Sequence, residues 1–220
     1  MKEKIFVMVF AALLLLAGCL EKKDETAPTI KISIEGKEGE ENWYVSSVTI
    51  TFEAHDNESS VKELKYRING DLWRDYVMPV TLRKDGFYFI EYYAKDSKGN
   101  ENYGNMTIKI DATPPSINFT NFEPGYIYFW GKKTPTPRIP RDTMIIGDIT
   151  IEASANDNLA GVKKVEFYMN EGLSFEDNQP PYEWSIKNAI GIYNITAVAF
   201  DYAGNYASIT IPEVQIINIF

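Results

Sequence analysis

The chain has 220 residues, 45% of them hydrophobic and 14% aromatic, and carries a net charge of −9 at neutral pH. That aromatic content can bury a core, which excludes a low-complexity disordered chain. The acidic balance argues against a nucleic-acid binder, because phosphate contacts need clustered cations. A single Cys and a single His leave no disulfide framework, and few of the constellations that thiol, imidazole or metal catalysis requires.

The chain opens with Lys2 and Lys4, followed by an uninterrupted apolar run from Ile5 to Ala17. A bilayer-spanning helix needs ~20 apolar residues, so this shorter run reads as the core of a signal peptide over residues 1–18. It ends in Leu16-Ala17-Gly18-Cys19, small residues before a cleavage point and a thiol directly after it. This resembles the lipobox of prokaryotic lipoproteins. The resemblance implies lipidation of Cys19 and a place on the extracytoplasmic face of the cell membrane, held by the lipid anchor. The plainer alternative is an ordinary secretory signal followed by an incidental Cys. Stable anchoring takes more than one acyl chain, and a diacylated Cys19 supplies two. Loss of residues 1–18 leaves 202 residues and removes Lys2, Glu3 and Lys4, which takes the charge from −9 to −10. The lipid, not a basic surface, would then hold the protein at the membrane. Residues 19–27 read as a lipidated tether, short enough to keep the first folded domain close to the bilayer.

The rest of the chain repeats itself. Asp24 to Ile30 matches Asp111 to Ile117, and Val48 to Asn57 matches Ile149 to Asn158. Val61 to Tyr66 matches Val162 to Phe167, and Gly86 to Asp96 matches Gly191 to Asp201, each followed by a Gly-Asn pair. The drifting offset places insertions near the start and middle of the second copy. Units this long suit tandem domains better than a solenoid. Within each copy, apolar residues alternate with polar ones. Val48, Ile50 and Phe52 alternate with Thr49, Thr51 and Glu53, and Val165, Phe167 and Met169 with Glu166 and Tyr168. Period 2 marks a half-buried strand, and short strands between Gly, Asn, Asp and Pro clusters mark a β-sandwich. The expected fold is therefore all-β, with one sandwich over residues 28–112 and a second over 113–220. Pro114 and Pro115 stiffen the linker, so the two should form a semi-rigid rod.

These residues resemble the tandem Ig-like repeats of prokaryotic surface proteins. The resemblance rests on Asp56-Asn57 before Val61, Asp157-Asn158 before Val162, the strand Gly191 to Asp201 and the Asp-x-x-Gly-Asn turns. Lys164 to Asn170 and Pro180 to Trp184 carry it too. It is specific for fold and weak for function, because such domains serve as spacers, stalks, adhesins and enzyme accessories.

Several features invite a functional reading beside a structural one. Asp56, Asp96, Asp157 and Asp201 are weak Ca²⁺ candidates, since hard oxygens suit that ion. The plainer reading is a hairpin, with Asp bonding the turn and Gly99 or Gly204 taking a positive φ. A dense calcium loop would carry three or more acids at alternate positions, and neither turn does. The aromatic strand Tyr126 to Trp130 could stack on a sugar ring. Alternation puts Tyr126, Tyr128 and Trp130 on one face, of which the core claims a share. The stretch Lys132 to Arg141 is basic and Pro-rich, and Lys132, Lys133 and Arg138 are candidate contacts for an acidic glycan; a solvated loop is the simpler account. Asn105 and Asn118 are candidate glycosylation sites. Trp73 is expected to be exposed and Trp184 to be core.

The resulting expectation is a non-enzymatic, lipid-anchored surface protein that needs no cofactor. Its Ig-like domains would serve adhesion, protein interaction or spacing. The alternative is a glycan- or solute-binding accessory module using the aromatic strand and the basic loop. The partners expected are the membrane and an unidentified surface protein or glycan, not nucleic acid.

Overall fold

The computed structural model describes residues 23–135 and 142–218. Cys19, the signal-peptide run, residues 20–22 of the tether and Arg138 lie outside the described residues. No helix of the described residues is long and apolar enough to cross a membrane.

The first half builds eight strands: β1 (Thr29–Glu35), β2 (Trp43–Tyr44), β3 (Val48–His55), β4 (Val61–Ile68), β5 (Arg74–Asp75), β6 (Val80–Leu82), β7 (Gly86–Asp96) and β8 (Glu101–Ile110). They form a three-stranded sheet, β1-β3-β6, facing a five-stranded sheet, β2-β8-β7-β4-β5. The period-2 pattern sets the layers. Val48, Ile50 and Phe52 turn inward from β3 and meet Ile90 of β7 and Ile108 and Ile110 of β8. Thr49 and Thr51 fall on the other face, where Thr49 bonds Thr81 across the sheet.

The second half repeats this plan with ten strands: β9 (Ser116–Phe119), β10 (Ile127–Phe129), β11 (Lys132–Lys133), β12 (Met144–Ile146), β13 (Ile149–Asn156), β14 (Val162–Met169), β15 (Gly172–Asp177), β16 (Tyr182–Ile186), β17 (Ala189–Asp201) and β18 (Tyr206–Asn218). The sheets are β16-β13-β9 and β11-β10-β12-β18-β17-β14-β15. Ile151, Phe167, Trp184 and Ile195 share one core. The structure is thus all-β, two sandwiches in tandem. The insertion expected near the start of the second copy is β10 to β12, which extends the larger sheet through parallel pairs beyond β18. The short β2, parallel to β8, holds the corresponding edge in the first copy.

One irregularity recurs. The β4–β7 ladder shifts register between Val61 and Glu63, and the β14–β17 ladder shifts between Val162 and Lys164. A bulge bends the strand locally. In both copies it lies opposite the C-terminal Asp of the long partner strand, Asp96 or Asp201.

The two sandwiches touch end to end. The loop between β1 and β2 meets the turn between β17 and β18: the Glu40 amide donates to the Ala203 carbonyl at 2.8 Å. Lys163 Nζ reaches Glu40 Oε2 at 2.5 Å. Asp111 donates its amide to Tyr44 O at 2.9 Å, so the linker is bonded to the first sandwich as it leaves it. Trp43 is buried, with its ring edge-on to Phe87 at 5.1 Å and Lys109 Nζ at 4.8 Å over its face.

Candidate functional site

Three places hold the residues of functional interest. The first is the aromatic strand. Tyr128 is core, 1% exposed, and its hydroxyl bonds the backbone of Glu123 as acceptor and donor. Its ring is therefore closed to a ligand. Trp130 does the opposite and is 63% exposed. Simple alternation expected these two on one face. The strand ends at Phe129, and Trp130 and Gly131 turn with φ of 45° and 75°, which takes Trp130 out of the pleat. There it borders a cleft of about 450 Å³ with Gly131, Asp148, Thr150, Ser185 and Lys187. Tyr126 is half-buried and carries Lys133 Nζ over its ring at 4.6 Å. Lys133 also pairs with Glu123 at 2.9 Å, so its charge is engaged within the fold. Lys132 is exposed, and so are Asn105 and Asn118.

The second place is one that sequence did not single out. On the outer face of the first sandwich, Tyr93 and Tyr103 are register partners and stack at 5.2 Å. Trp73 lies edge-on to Tyr93 at 4.9 Å, and the Arg67 guanidinium sits 4.7 Å over Trp73. Arg67 is in turn held by a two-pronged bond to Glu91, at 2.7 and 2.6 Å. Trp73, Glu91, Tyr103, Gly104 and Asn105 line a small cleft of about 160 Å³. The available signal was the outward parity of Tyr93 on β7 and Tyr103 on β8.

The third place comprises two acidic corners, one in each copy. Asp24, Asp56 and Asp96 bring carboxylate oxygens within 4.8 Å of one another, and Asp111, Asp157 and Asp201 do the same. Each corner collects three segments: the strap ahead of the first strand, the turn after β3 or β13, and the end of β7 or β17. The hairpin chemistry expected of the Asp-x-x-Gly-Asn turns is present. Asp96 Oδ1 accepts the amides of Lys98, Gly99 and Asn100 at 2.8, 2.6 and 2.9 Å, and Gly99 takes a φ of 98°. The turn also does a second job. Asn100 Nδ2 donates to Asp96 Oδ2 at 2.7 Å and to the Asp24 carbonyl at 3.3 Å. Asn205 does likewise for Asp201 and Asp111, at 2.8 and 2.9 Å. The Asn thus pins the strap and delivers the third carboxylate.

Burial alone would raise the Asp96 carboxyl, but the bonds from Asn100, Lys98 and Gly99 outweigh it and hold it below the ordinary carboxylate range. Asp111 goes the other way. Burial pushes it up, and the charges of Asp157 and Asp201 add to that against the bonds from Ala160 and Thr113. None of the ion pairs among the described residues involves any of the six. Hard oxygens converging without a counter-cation are the donor type that divalent cations take. The sequence reading had four of these acids and missed Asp24 and Asp111. Their signal was the repeat itself, since both open the matched Asp24–Ile30 and Asp111–Ile117 segments.

One comparison with known proteins bears on the fold. A model of the bacterial Ig domain family matches residues 140–197, about a quarter of the chain. No curated protein matches. Among solved structures, the chain is similar to the fibronectin(III)-like modules of Clostridium thermocellum CbhA. Identity there is 14% and the TM-score 0.42, over 86% of this chain and 94% of that one. It is also similar to the PKD1 domain of Vibrio anguillarum Epp, at 15% identity and a TM-score of 0.33, over 41% of this chain and all of that one. Bacteroides ovatus SGBP-B, solved with a mixed-linkage heptasaccharide, matches at 10% identity and 0.30, over 89% of this chain and 71% of that one. The family match, which falls in the second half of the chain, and the observed sheets support an Ig-like fold.

Proposed function

We propose that the chain is a non-catalytic, lipid-anchored protein of the extracytoplasmic cell surface. Its two Ig-like sandwiches would hold an interaction surface off the membrane. The observation that carries this reading is the bonded junction between them, in which Glu40, Ala203, Lys163 and Asp111 join the two ends. A bonded, proline-stiffened join suits a spacer. The anchor itself rests on the motif Leu16-Ala17-Gly18-Cys19. The test is a Cys19→Ser form. Wild type is expected to incorporate labelled fatty acid and sediment with membranes, and the variant to do neither. A variant that stays as firmly membrane-associated as wild type refutes the anchor.

Carbohydrate binding is the second reading, favoured by the exposed rings Trp73, Tyr103 and Trp130. Aromatic faces bury the C–H surfaces of sugars, while neighbours such as Glu91 and Lys187 offer bonds to hydroxyls. Retention on a polysaccharide column should fall for Trp73→Ala or Trp130→Ala. If neither changes retention, or wild type is not retained on any of a panel of polysaccharides, this reading fails.

A further inference from the structure

The two acidic corners share a plan but differ in one respect that decides their chemistry. Among the described residues, four buried side-chain polar atoms have no hydrogen-bond partner: Asp24 Oδ2, Asp56 Oδ2, Ser59 Oγ and Asn218 Oδ1. Three of the four belong to the first corner. Asp24 is itself only 7% exposed, and its other oxygen, Oδ1, accepts the Thr26 amide at 3.0 Å. Ser59 is tied to the same corner by its amide, which donates to Asp56 Oδ1 at 2.6 Å.

At the second corner none of the described residues carries such an atom. The Ala160 amide donates to Asp111 Oδ2 at 2.8 Å. The turn sequences account for the difference. In Asp157-Asn158-Leu159-Ala160-Gly161, Gly161 takes a φ of 84° and bonds Asp157 Oδ1 at 2.7 Å. That leaves the Ala160 amide to reach the strap. In Asp56-Asn57-Glu58-Ser59-Ser60 the glycine is replaced by Ser60. The Ser59 amide is spent on Asp56 Oδ1, so Asp24 Oδ2 has no backbone donor.

A buried, unpaired carboxylate oxygen is strongly unfavourable, and two of them beside a third carboxylate more so. A water molecule supplies hydrogen bonds but no charge. A divalent cation supplies the charge and takes the oxygens as ligands. We propose that Asp24, Asp56 and Asp96, with Ser59 Oγ, form a Ca²⁺ site, while the second corner leaves no buried polar side-chain atom of the described residues without a partner. Calcium fits better than magnesium. The donors come from three separate segments and include a hydroxyl, which suits the larger ion's irregular shell, whereas Mg²⁺ demands near-ideal octahedral geometry and keeps its waters. The ion would clamp the strap ahead of β1 to the sandwich. That strap is otherwise held by Asn100 Nδ2 on Asp24 O, by Asn102 Nδ2 on Pro28 O at 2.9 Å and by Thr26 Oγ1 on Glu58 at 3.1 Å.

The experiment takes the full chain in detergent, strips it with chelator and titrates it with calcium chloride by calorimetry. Tryptic cleavage after Lys23 is followed in parallel, at the exposed start of the strap. One saturable site per chain is expected, with cleavage after Lys23 slowed by calcium and not by equal magnesium. Asp24→Asn, which keeps an oxygen acceptor for the Thr26 amide, should weaken binding at least tenfold and remove the protection. Asp56→Asn should do the same, and Asp111→Asn should leave both intact. Near-UV circular dichroism in chelator shows whether each variant is folded. The proposal is overturned if wild type shows no saturable binding, or if folded Asp24→Asn and Asp56→Asn bind as wild type. It is equally overturned if Asp111→Asn, rather than these two, abolishes binding.

Discussion

The junction between the sandwiches turns on Gly39, and Gly39→Ala tests it with one methyl group. A Cβ at this position would overlap the Ala203 carbonyl oxygen and lie 2.7 Å from Val45 Cγ1. The second contact alone is about 0.8 Å inside the ~3.5 Å at which nonbonded carbons rest. The obstacle on the Ala203 side is backbone, so the loop must move away from the second sandwich. That motion breaks the bond from the adjacent Glu40 amide to Ala203 O, a net loss of ~0.5–1.5 kcal/mol. The Lys163–Glu40 pair at the same place is exposed and adds little. A loss of ~1 kcal/mol shifts the docked-to-undocked ratio about fivefold. Amide exchange at Glu40 should therefore accelerate about fivefold, while amides of Ile50 and Ile151, inside the two cores, keep their protection. Small-angle scattering should show a wider spread of end-to-end distances. Gly172→Ala is the control, because a methyl there meets only Met169 O at 3.6 Å. Unchanged protection at Glu40 together with an unchanged scattering curve would refute the claim that this contact holds the sandwiches together.

Three further outcomes check the fold and its electrostatics. Phe167 is fully buried against Trp184, with ring centroids 6.0 Å apart, so Phe167→Ala should cost ~3–5 kcal/mol in denaturant unfolding; a loss below ~1 kcal/mol would mean the second core is not packed as described. Gly99 sits at φ 98°, and a methyl added there would meet nothing within 4 Å; Gly99→Ala should cost ~1–2 kcal/mol from backbone strain alone, and no cost would show that the turn relaxes. Burial alone would raise Glu166, but its bonds from Lys164 and Tyr168 hold it below the ordinary carboxylate range. A carboxyl depressed by folding contributes stability above its unfolded value and loses it as pH falls through the folded value. Melting temperature should therefore drop in acid with a shallower limb for Glu166→Gln, and identical acid limbs for the two proteins would contradict this.

What could be read from the chain alone was whatever is local. Alternation at Val48, Ile50 and Phe52 follows from the pleat of a single strand, which sends successive side chains to opposite faces whatever lies across from them. The Asp-x-x-Gly-Asn turns were readable because Asp96, Gly99 and Asn100 bond within five residues. The repeat announced two copies before any packing was known. Tertiary structure decided the rest. Tyr128 and Trp130 share a parity, but the left-handed turn at Trp130 and Gly131 separates them, and only the position of β12 beside β10 shows which side is core. The ladder of Trp73, Tyr93 and Tyr103 needs the β4–β7–β8 register. The acidic corners show this most clearly. Asp24, Asp56 and Asp96 lie 32 and 40 residues apart along the chain, so no local spacing rule can gather them. They meet because a bulge in β4, an Asn at the end of a hairpin and a strap before β1 converge on one end of a sandwich. The two ends differ in a backbone amide that Ala160 gives to the strap carboxylate in the second copy and that Ser59 gives to Asp56 in the first.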